Sequence, residues 1–231
     1  MNITFITGAN KSLGFETARR LTSLGHTVLL GARDPERGQA AATELGARFV
    51  QIDVTDDASV AAAVADIEAR EGRVDTLINN AGVPGPAVPA EQLTTADASH
   101  VFETNVVSIV RVTTAFLPLL RKAQHPAVVN VSSGMGSQAL THDPERVESQ
   151  FSMPLYTASK AAVTMLTTQY AKALTDIRVN AADPGFTATD FNGHRGTQTV
   201  TEGTDAIVTL ATEHPDAGTG RFIDRLGPVS W

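Results

Sequence analysis

The strongest constraint on this chain is a repeated alternation between short, β-branched apolar runs and longer segments of helical spacing. Ile3–Ile6, Thr27–Leu30, Arg48–Ile52, Thr76–Ile78, Val128–Val131, Arg178–Ala181 and Arg221–Ile223 are mostly continuous in apolar character. That pattern suits strands covered on both faces rather than on one. Between them, Leu13–Leu24, Glu36–Leu45, Ala58–Glu71, Ala96–Arg121, Leu155–Thr175 and Glu202–Glu213 carry apolar residues at i, i+3 and i+4, the helical period. Strand, helix, strand in succession requires crossover connections and therefore parallel βαβ units. No Gly/Ser linker or internal repeat divides the chain. The expectation is one α/β domain over residues 1–231: a doubly wound sheet of about seven parallel strands with helices on both faces. Ligands in such a sheet sit beyond the carboxyl ends of the strands, at the switch point.

Composition removes several classes of function. Lys and Arg number 18 against 25 Asp and Glu, a net charge of −7, which argues against an electrostatic grip on nucleic acid or on an anionic membrane. There is no cysteine, so disulfides, thiolate catalysis and zinc–sulfur sites are excluded. The six histidines show no paired ligand spacing, and no metal site is expected. The start MNITFITG lacks the charged and apolar regions of a signal peptide, and Val106–Leu120 falls short of a membrane span. A cytoplasmic protein is expected.

Thr7-Gly-Ala-Asn-Lys-Ser-Leu-Gly14 lies directly after the first strand, where the next helix opens. Glycines there let the backbone approach a phosphate, and the helix N-terminus favours an anion. The same glycines also serve an ordinary strand-to-helix turn. Four further motifs follow at later strand ends or on a helix: Asn79-Asn80-Ala81-Gly82, Asn130-Val-Ser-Ser133, Tyr156-Thr-Ala-Ser-Lys160 and Asp183-Pro184-Gly185. In this order, over essentially the whole chain, the set resembles the short-chain dehydrogenase/reductase family, with its Rossmann-type fold. The long spacing from Ser133 to Tyr156, together with Thr7-Gly-Ala-Asn-Lys and Ala32-Arg33-Asp34, is similar to its NADPH-dependent carbonyl-reductase branch.

The resemblance implies a catalytic set of Asn105, Ser133, Tyr156 and Lys160. Tyrosine has a pKa of about 10 in water, and an ammonium one helical turn away, at Lys160, is expected to lower it so that Tyr156 exchanges a proton near neutral pH. Ser133 would donate to the substrate oxygen as charge develops there, and Asn105 would hold a water leading from the lysine to solvent. Each has a plainer alternative. A tyrosine and lysine four apart also make a surface pair. Ser132 competes with Ser133, and an asparagine within Ala96–Arg121 can simply kink or cap the helix.

For the cofactor, the resemblance implies contacts from Gly8, Asn10, Lys11, Ser12, Leu13 and Gly14 in the first turn, and from Asp53 and Val54 near the adenine. Asn80, Ala81, Gly82, Tyr156, Lys160, Pro184, Gly185, Thr187 and Thr189 complete the set, Thr189 matching the threonine that meets the nicotinamide carboxamide. Cofactor choice is read at the second strand's end. An acid there binds a ribose 2′-OH, whereas arginine accommodates a 2′-phosphate. Ala32 stands where NAD-preferring members carry acid, and Arg33, Arg37 and Lys11 are three cations that could converge on a dianion. NADP(H) is therefore expected, with Asp34 as the complicating charge.

Ser12 replaces the usual middle glycine of the turn. Gln138–Met153 reads as a loop with about one helical turn overhanging the substrate site, and such a segment can also cover the faces through which family members pair. Monomer and homo-oligomer remain open. Met135, Phe151, Phe186 and Trp231 are candidate walls for a small carbonyl or alcohol substrate. A dinucleotide-binding sensor of the same fold without turnover is the alternative reading.

Overall fold

The computed structural model describes residues 2–231. Seven strands, β1 (Ile3–Ile6), β2 (Thr27–Ala32), β3 (Arg48–Gln51), β4 (Thr76–Asn79), β5 (Ala127–Val131), β6 (Arg178–Ala182) and β7 (Phe222–Asp224), run parallel. An eighth, β8 (Gly227–Pro228), turns back antiparallel on β7. The order is β3-β2-β1-β4-β5-β6-β7-β8, so the direction of winding reverses between β1 and β4. The sequence expectation of about seven parallel strands holds, and the short antiparallel eighth is the addition.

Register explains why the strands read as unbroken apolar runs. Phe5 pairs with Leu29 and Leu77, Leu77 with Val128, and Val128 with Val179. This row faces α3 (Asp57–Arg70), α5 (Ser108–Leu120) and α7 (Pro154–Ala173), where Ile67, Phe116 and Ala171 close one core. Phe116 stacks on Phe5 at 4.7 Å between ring centres. The alternate residues Ile6, Leu30, Ile78 and Val129 face the opposite layer: α1 (Ser12–Ser23), α2 (Pro35–Leu45) and α9 (Asp205–Thr212), which follows the short α8 (Val200–Gly203). The central strands β1, β4 and β5 are thus buried on both sides, with no solvent face to interrupt them, whereas the edge strand β3 leaves Gln51 exposed. Among the described residues, no helix is long and apolar enough to cross a membrane.

One expected helix differs. Ala96–Arg121 is not continuous: α4 (Thr95–Phe102) and α5 are joined by a π-helical turn, Glu103–Val107, which contains Asn105. A single π turn inserts one extra residue without breaking the helix axis, so the helical period alone does not reveal it. Within Gln138–Met153 the chain forms α6 (Gln138–His142) and a 3₁₀ turn at Val147–Gln150.

Candidate active site

The carboxyl ends of β1, β4, β5 and β6 converge at the switch point. Asn80, just past β4, binds the first turn directly: its Nδ2 donates to the carbonyls of Thr7 and Gly8 at 2.9 and 3.0 Å, and Thr7 Oγ1 accepts from the N–H groups of Asn80 and Ala81. Gly14 lies so close to this junction that a Cβ there would stand 2.5 Å from the Gly8 carbonyl oxygen and 2.6 Å from Asn80 Nδ2. Because Gly14 has no side chain, the start of α1 can pack directly on the Gly8 carbonyl and the Asn80 side chain, which sets the helix N-terminus at the β1 turn. Leu13 packs beside Gly203 and Thr187. Asn10 is partly buried in the turn. Ser12 adopts φ 50°, a left-handed conformation usually taken by glycine. The structure therefore keeps the backbone shape a glycine would give and accepts the strain of a side chain.

The catalytic candidates gather at the end of β5. Ser132 and Ser133, of which the family resemblance favours the second, have different partners. Ser132 Oγ donates to the Lys160 carbonyl at 3.2 Å. Ser133 Oγ accepts from Met135 N–H and hydrogen-bonds the Tyr156 hydroxyl. The Gly134-Met135-Gly136 turn packs tightly on α7, where a Cβ on Gly136 would stand 2.6 Å from the Lys160 carbonyl carbon. This close contact brings the Ser133 and Tyr156 hydroxyls together. Helix α7 begins at Pro154, whose fixed φ suits a first helical position, and Tyr156 and Lys160 follow one turn apart.

Lys160 is buried, and its Nζ donates to the Val131 carbonyl at 2.8 Å and lies 5.7 Å from the Tyr156 ring centre. Asn105 is buried in the π turn. Its Oδ1 accepts from Val83 N–H, while its Nδ2 donates to the Val83 carbonyl and to Ser159 Oγ. Gly82 joins the two groups: a Cβ at Gly82 would stand 3.3 Å from Asn105 Oδ1 and 3.7 Å from Lys160 Nζ. The bare backbone leaves a small polar gap between them, of a kind a water can bridge.

Burial pushes the Lys160 amine down to about 8, against the upward pull of Asp183. Burial likewise pushes the Tyr156 hydroxyl above its ordinary value, which the Ser133 hydrogen bond only partly offsets. The expectation that Lys160 lowers the tyrosine is not met in this arrangement: its ammonium is turned to the Val131 carbonyl, and desolvation dominates.

At the end of β2, Asp34 is committed as the N-cap of α2, accepting from Arg37 N–H at 3.0 Å. Ala32 is buried. The Arg33 and Arg37 side chains are 81% and 76% exposed, each only loosely approached by a carboxylate: Asp53 at 4.0 Å and Asp34 at 3.7 Å. Lys11 does not join them. It reaches across the cleft mouth to Asp190 at 3.1 Å, so the expected cluster of three cations is a pair of arginines and a separate lysine. Asp53 accepts from the backbone and hydroxyl of Thr55; burial raises its carboxyl, but these bonds outweigh that and hold it below its ordinary value. The Val54 carbonyl accepts from Arg111.

After β6, Pro184 and Thr187 are buried, Thr187 Oγ1 donates to the Pro184 carbonyl, and Thr189 N–H donates to Asn192. Phe186 packs against Phe151 at 5.5 Å, and Phe191, which the sequence reading passed over, packs against Tyr156 at 5.3 Å. Trp231 instead packs on Phe222. An open groove of about 1030 Å³ along β2 and β3, lined by His26, Gln39 and Arg48, holds none of these motifs.

A Rossmann-type sheet with a serine, tyrosine and lysine gathered at its switch point defines a class of nicotinamide-dependent oxidoreductases, and the comparisons agree. The short chain dehydrogenase family signature matches residues 2–199, and the chain belongs to that family. A short-chain dehydrogenase of Penicillium roqueforti, anuI, is 36% identical over 96% of this chain and 93% of its own. Salutaridine reductase of Papaver bracteatum is 30% identical over 97% and 94%. Among solved structures, the NADPH-bound carbonyl reductase from chicken fatty liver superposes with a TM-score of 0.88 at 28% identity, covering 100% of both chains. Salutaridine reductase from Papaver somniferum gives 0.86 at 26% identity, over 97% of this chain and 100% of that one.

Proposed function

We propose that this protein is an NADPH-dependent reductase of aldehydes, ketones or quinones, able to run in reverse on the corresponding alcohol. The observation that carries this reading is the hydrogen bond between the Ser133 and Tyr156 hydroxyls, with Lys160 one turn behind. The residues present suit a dinucleotide: the close packing of Gly14 sets the N-terminus of α1 at the β1 turn, and the acid at the end of β2, Asp34, is engaged as the cap of α2. Gly8, Gly14, Asn80 and the Pro184–Thr189 segment would hold the cofactor, and Arg33 and Arg37 a 2′-phosphate. When bound, that cofactor supplies the hydride.

The chain's own residues handle the oxygen. Ser133 donates a hydrogen bond that strengthens as the carbonyl oxygen gains charge. Tyr156, kept protonated by burial, delivers its proton to that oxygen; a hydroxyl held above its ordinary pKa suits the reductive direction. Lys160, protonated at neutral pH, would stabilise the phenolate left behind once its ammonium turns from the Val131 carbonyl, and Asn105 with the gap at Gly82 links it towards solvent. Phe151, Phe186 and Phe191 offer an apolar, aromatic wall to the substrate.

Nucleotide oxidation against a panel of aldehydes, cyclic ketones and quinones tests the reading. The Tyr156→Phe variant should lose at least ~100-fold in turnover while binding NADPH nearly as before. Unchanged turnover in that variant would overturn the assignment. Tight NADPH binding with no turnover on any carbonyl would favour the sensor instead.

A further inference from the structure

Asp183 ends β6 next to the catalytic candidates, yet the chemistry above makes no use of it. It is 3% exposed. Its Oδ1 accepts from Gly185 N–H at 2.9 Å, and its carboxylate also takes the N–H of Gly134, the residue after Ser133. One buried side chain therefore ties the turn that presents Ser133 to the turn that leads into Phe186 and Thr187. A second buried carboxyl, Glu148, reaches the same place from the segment between α6 and α7. From the point where a Gly134 Cβ would stand, Glu148 Oε1 is 2.6 Å away and Asp183 Oδ2 is 2.9 Å. A side chain at Gly134 would collide with both carboxyl groups, so the glycine lets each of them approach this turn.

The surrounding charges are uneven. Arg146 pairs with Glu148 at 3.3 Å, and Asp224 adds a third carboxylate from the end of β7. Arg225, which also lines the small cavity of about 140 Å³ beside Asp183, is drawn to Glu202 and Asp205. Gln198 lines the same cavity, and from α7 Tyr156 and Lys160 both feel the Asp183 charge. Burial pushes the Asp183 carboxyl up to about 6 against the pull of its two backbone donors, with Glu148 and Asp224 pushing in the same direction. Ionised, Asp183 accepts both N–H groups and helps keep Lys160 an ammonium. Protonated, it carries an O–H and loses the charge that strengthens its bonds to the two N–H groups, so the hold on both turns weakens.

We propose that Asp183 is a positioning residue whose carboxylate, through Gly134 and Gly185, holds the Ser133 turn and the Phe186–Thr187 segment in register for hydride transfer, and that Glu148 sets the pH at which this hold is lost. The proposal rests on the reductase reading of Ser133, Tyr156 and Lys160.

The test compares kcat and KM between pH 5 and pH 9 for wild type, Asp183→Asn and Glu148→Gln, together with thermal unfolding of the same proteins without nucleotide. Wild type should show an acid limb in kcat that Asp183→Asn lacks. That variant should lose about tenfold in kcat at pH 8, the scale of a lost charge-assisted bond, with KM changed far less. Glu148→Gln removes a neighbouring negative charge, so the limb should move to lower pH and the fraction of plateau rate kept at pH 5 should rise about fivefold. A carboxyl whose folded pKa is raised contributes stability at low pH and loses it as pH rises through the folded value. Wild type should therefore lose melting temperature relative to Asp183→Asn between pH 4 and pH 7. A flat difference, or a limb unmoved by Glu148→Gln, refutes the pair and leaves the reductase reading standing. A wild type that turns over no carbonyl at any pH refutes the reductase reading and the positioning role with it, even if the unfolding difference shows the pair.

Discussion

Replacing Arg33 with Asp gives a sharp test of cofactor choice, because the structure gives Arg33 little else to do. Its side chain is 81% exposed and meets Asp53 only at 4.0 Å, so the change removes no strong internal bond. Two effects act on a 2′-phosphate. A charge-assisted hydrogen bond is lost, worth roughly 1.5–3 kcal/mol where it is well formed. A new carboxylate then repels the phosphate, and at about 5 Å with water-like screening this adds on the order of 1 kcal/mol per unit charge. Exposure keeps the first contribution near its lower end, so the total is about 2–3 kcal/mol, a ~30- to 150-fold rise in the Kd for NADPH. NADH carries no phosphate there and should bind as well as before or better. Titrating both nucleotides against wild type and variant by their fluorescence measures the effect, and the wild-type preference should weaken with added salt. Equal affinities of the wild type for both nucleotides, or an Arg33→Asp protein that still prefers NADPH, would refute this reading of the β2 end.

Two other substitutions test the strain and the burial at the site. Ser12→Gly removes the left-handed strain at φ 50° and should raise the melting temperature by a few degrees, about 0.5–1 kcal/mol once the greater freedom of the unfolded glycine is allowed for; scanning calorimetry checks it, and a lower melting temperature would mean the hydroxyl holds the turn. Lys160→Met should lower turnover at least ~100-fold. Because the Lys160 amine is depressed to about 8 from an ordinary 10.5, its burial as an ammonium is unfavourable at neutral pH, and wild type should gain stability on Lys160→Met as pH rises above about 8, which urea unfolding at pH 7.5 and pH 9.5 would show.

What the sequence revealed is what local pattern encodes. Strands buried on both faces announce themselves as apolar runs, and the motifs at their carboxyl ends fall together because the doubly wound sheet leaves them no other place. The π turn at Glu103–Val107 is missed because it keeps the helical period, and the misses at the site depend on pairings between segments distant in sequence. Lys11 is drawn to Asp190, 179 positions away, and no spacing rule links a glycine turn to a loop after β6. Asp183 had a local signal, a carboxylate directly after a buried strand and before a proline, but its partner Glu148 comes from a segment without periodicity. The resemblance favours Ser133 over Ser132, but their different partners show only once α7 packs on their turn. Phe191 likewise finds Tyr156 only through the fold of the loop that carries it.

The π turn at Glu103–Val107 has a consequence for how this chain can change length. Each residue advances an α-helix by about 100°. Deleting one residue within the turn would restore an even helix from α4 into α5, but it would rotate the two segments relative to each other by that angle. Either Val112, Phe116 and Leu119 would swing out of the core they now fill, or Asn105 would turn away from Val83 and Ser159. The extra residue thus sets the phase between a packing surface and a chemical one, and insertions or deletions should be tolerated in the loops before α4 and after α5 but not between them.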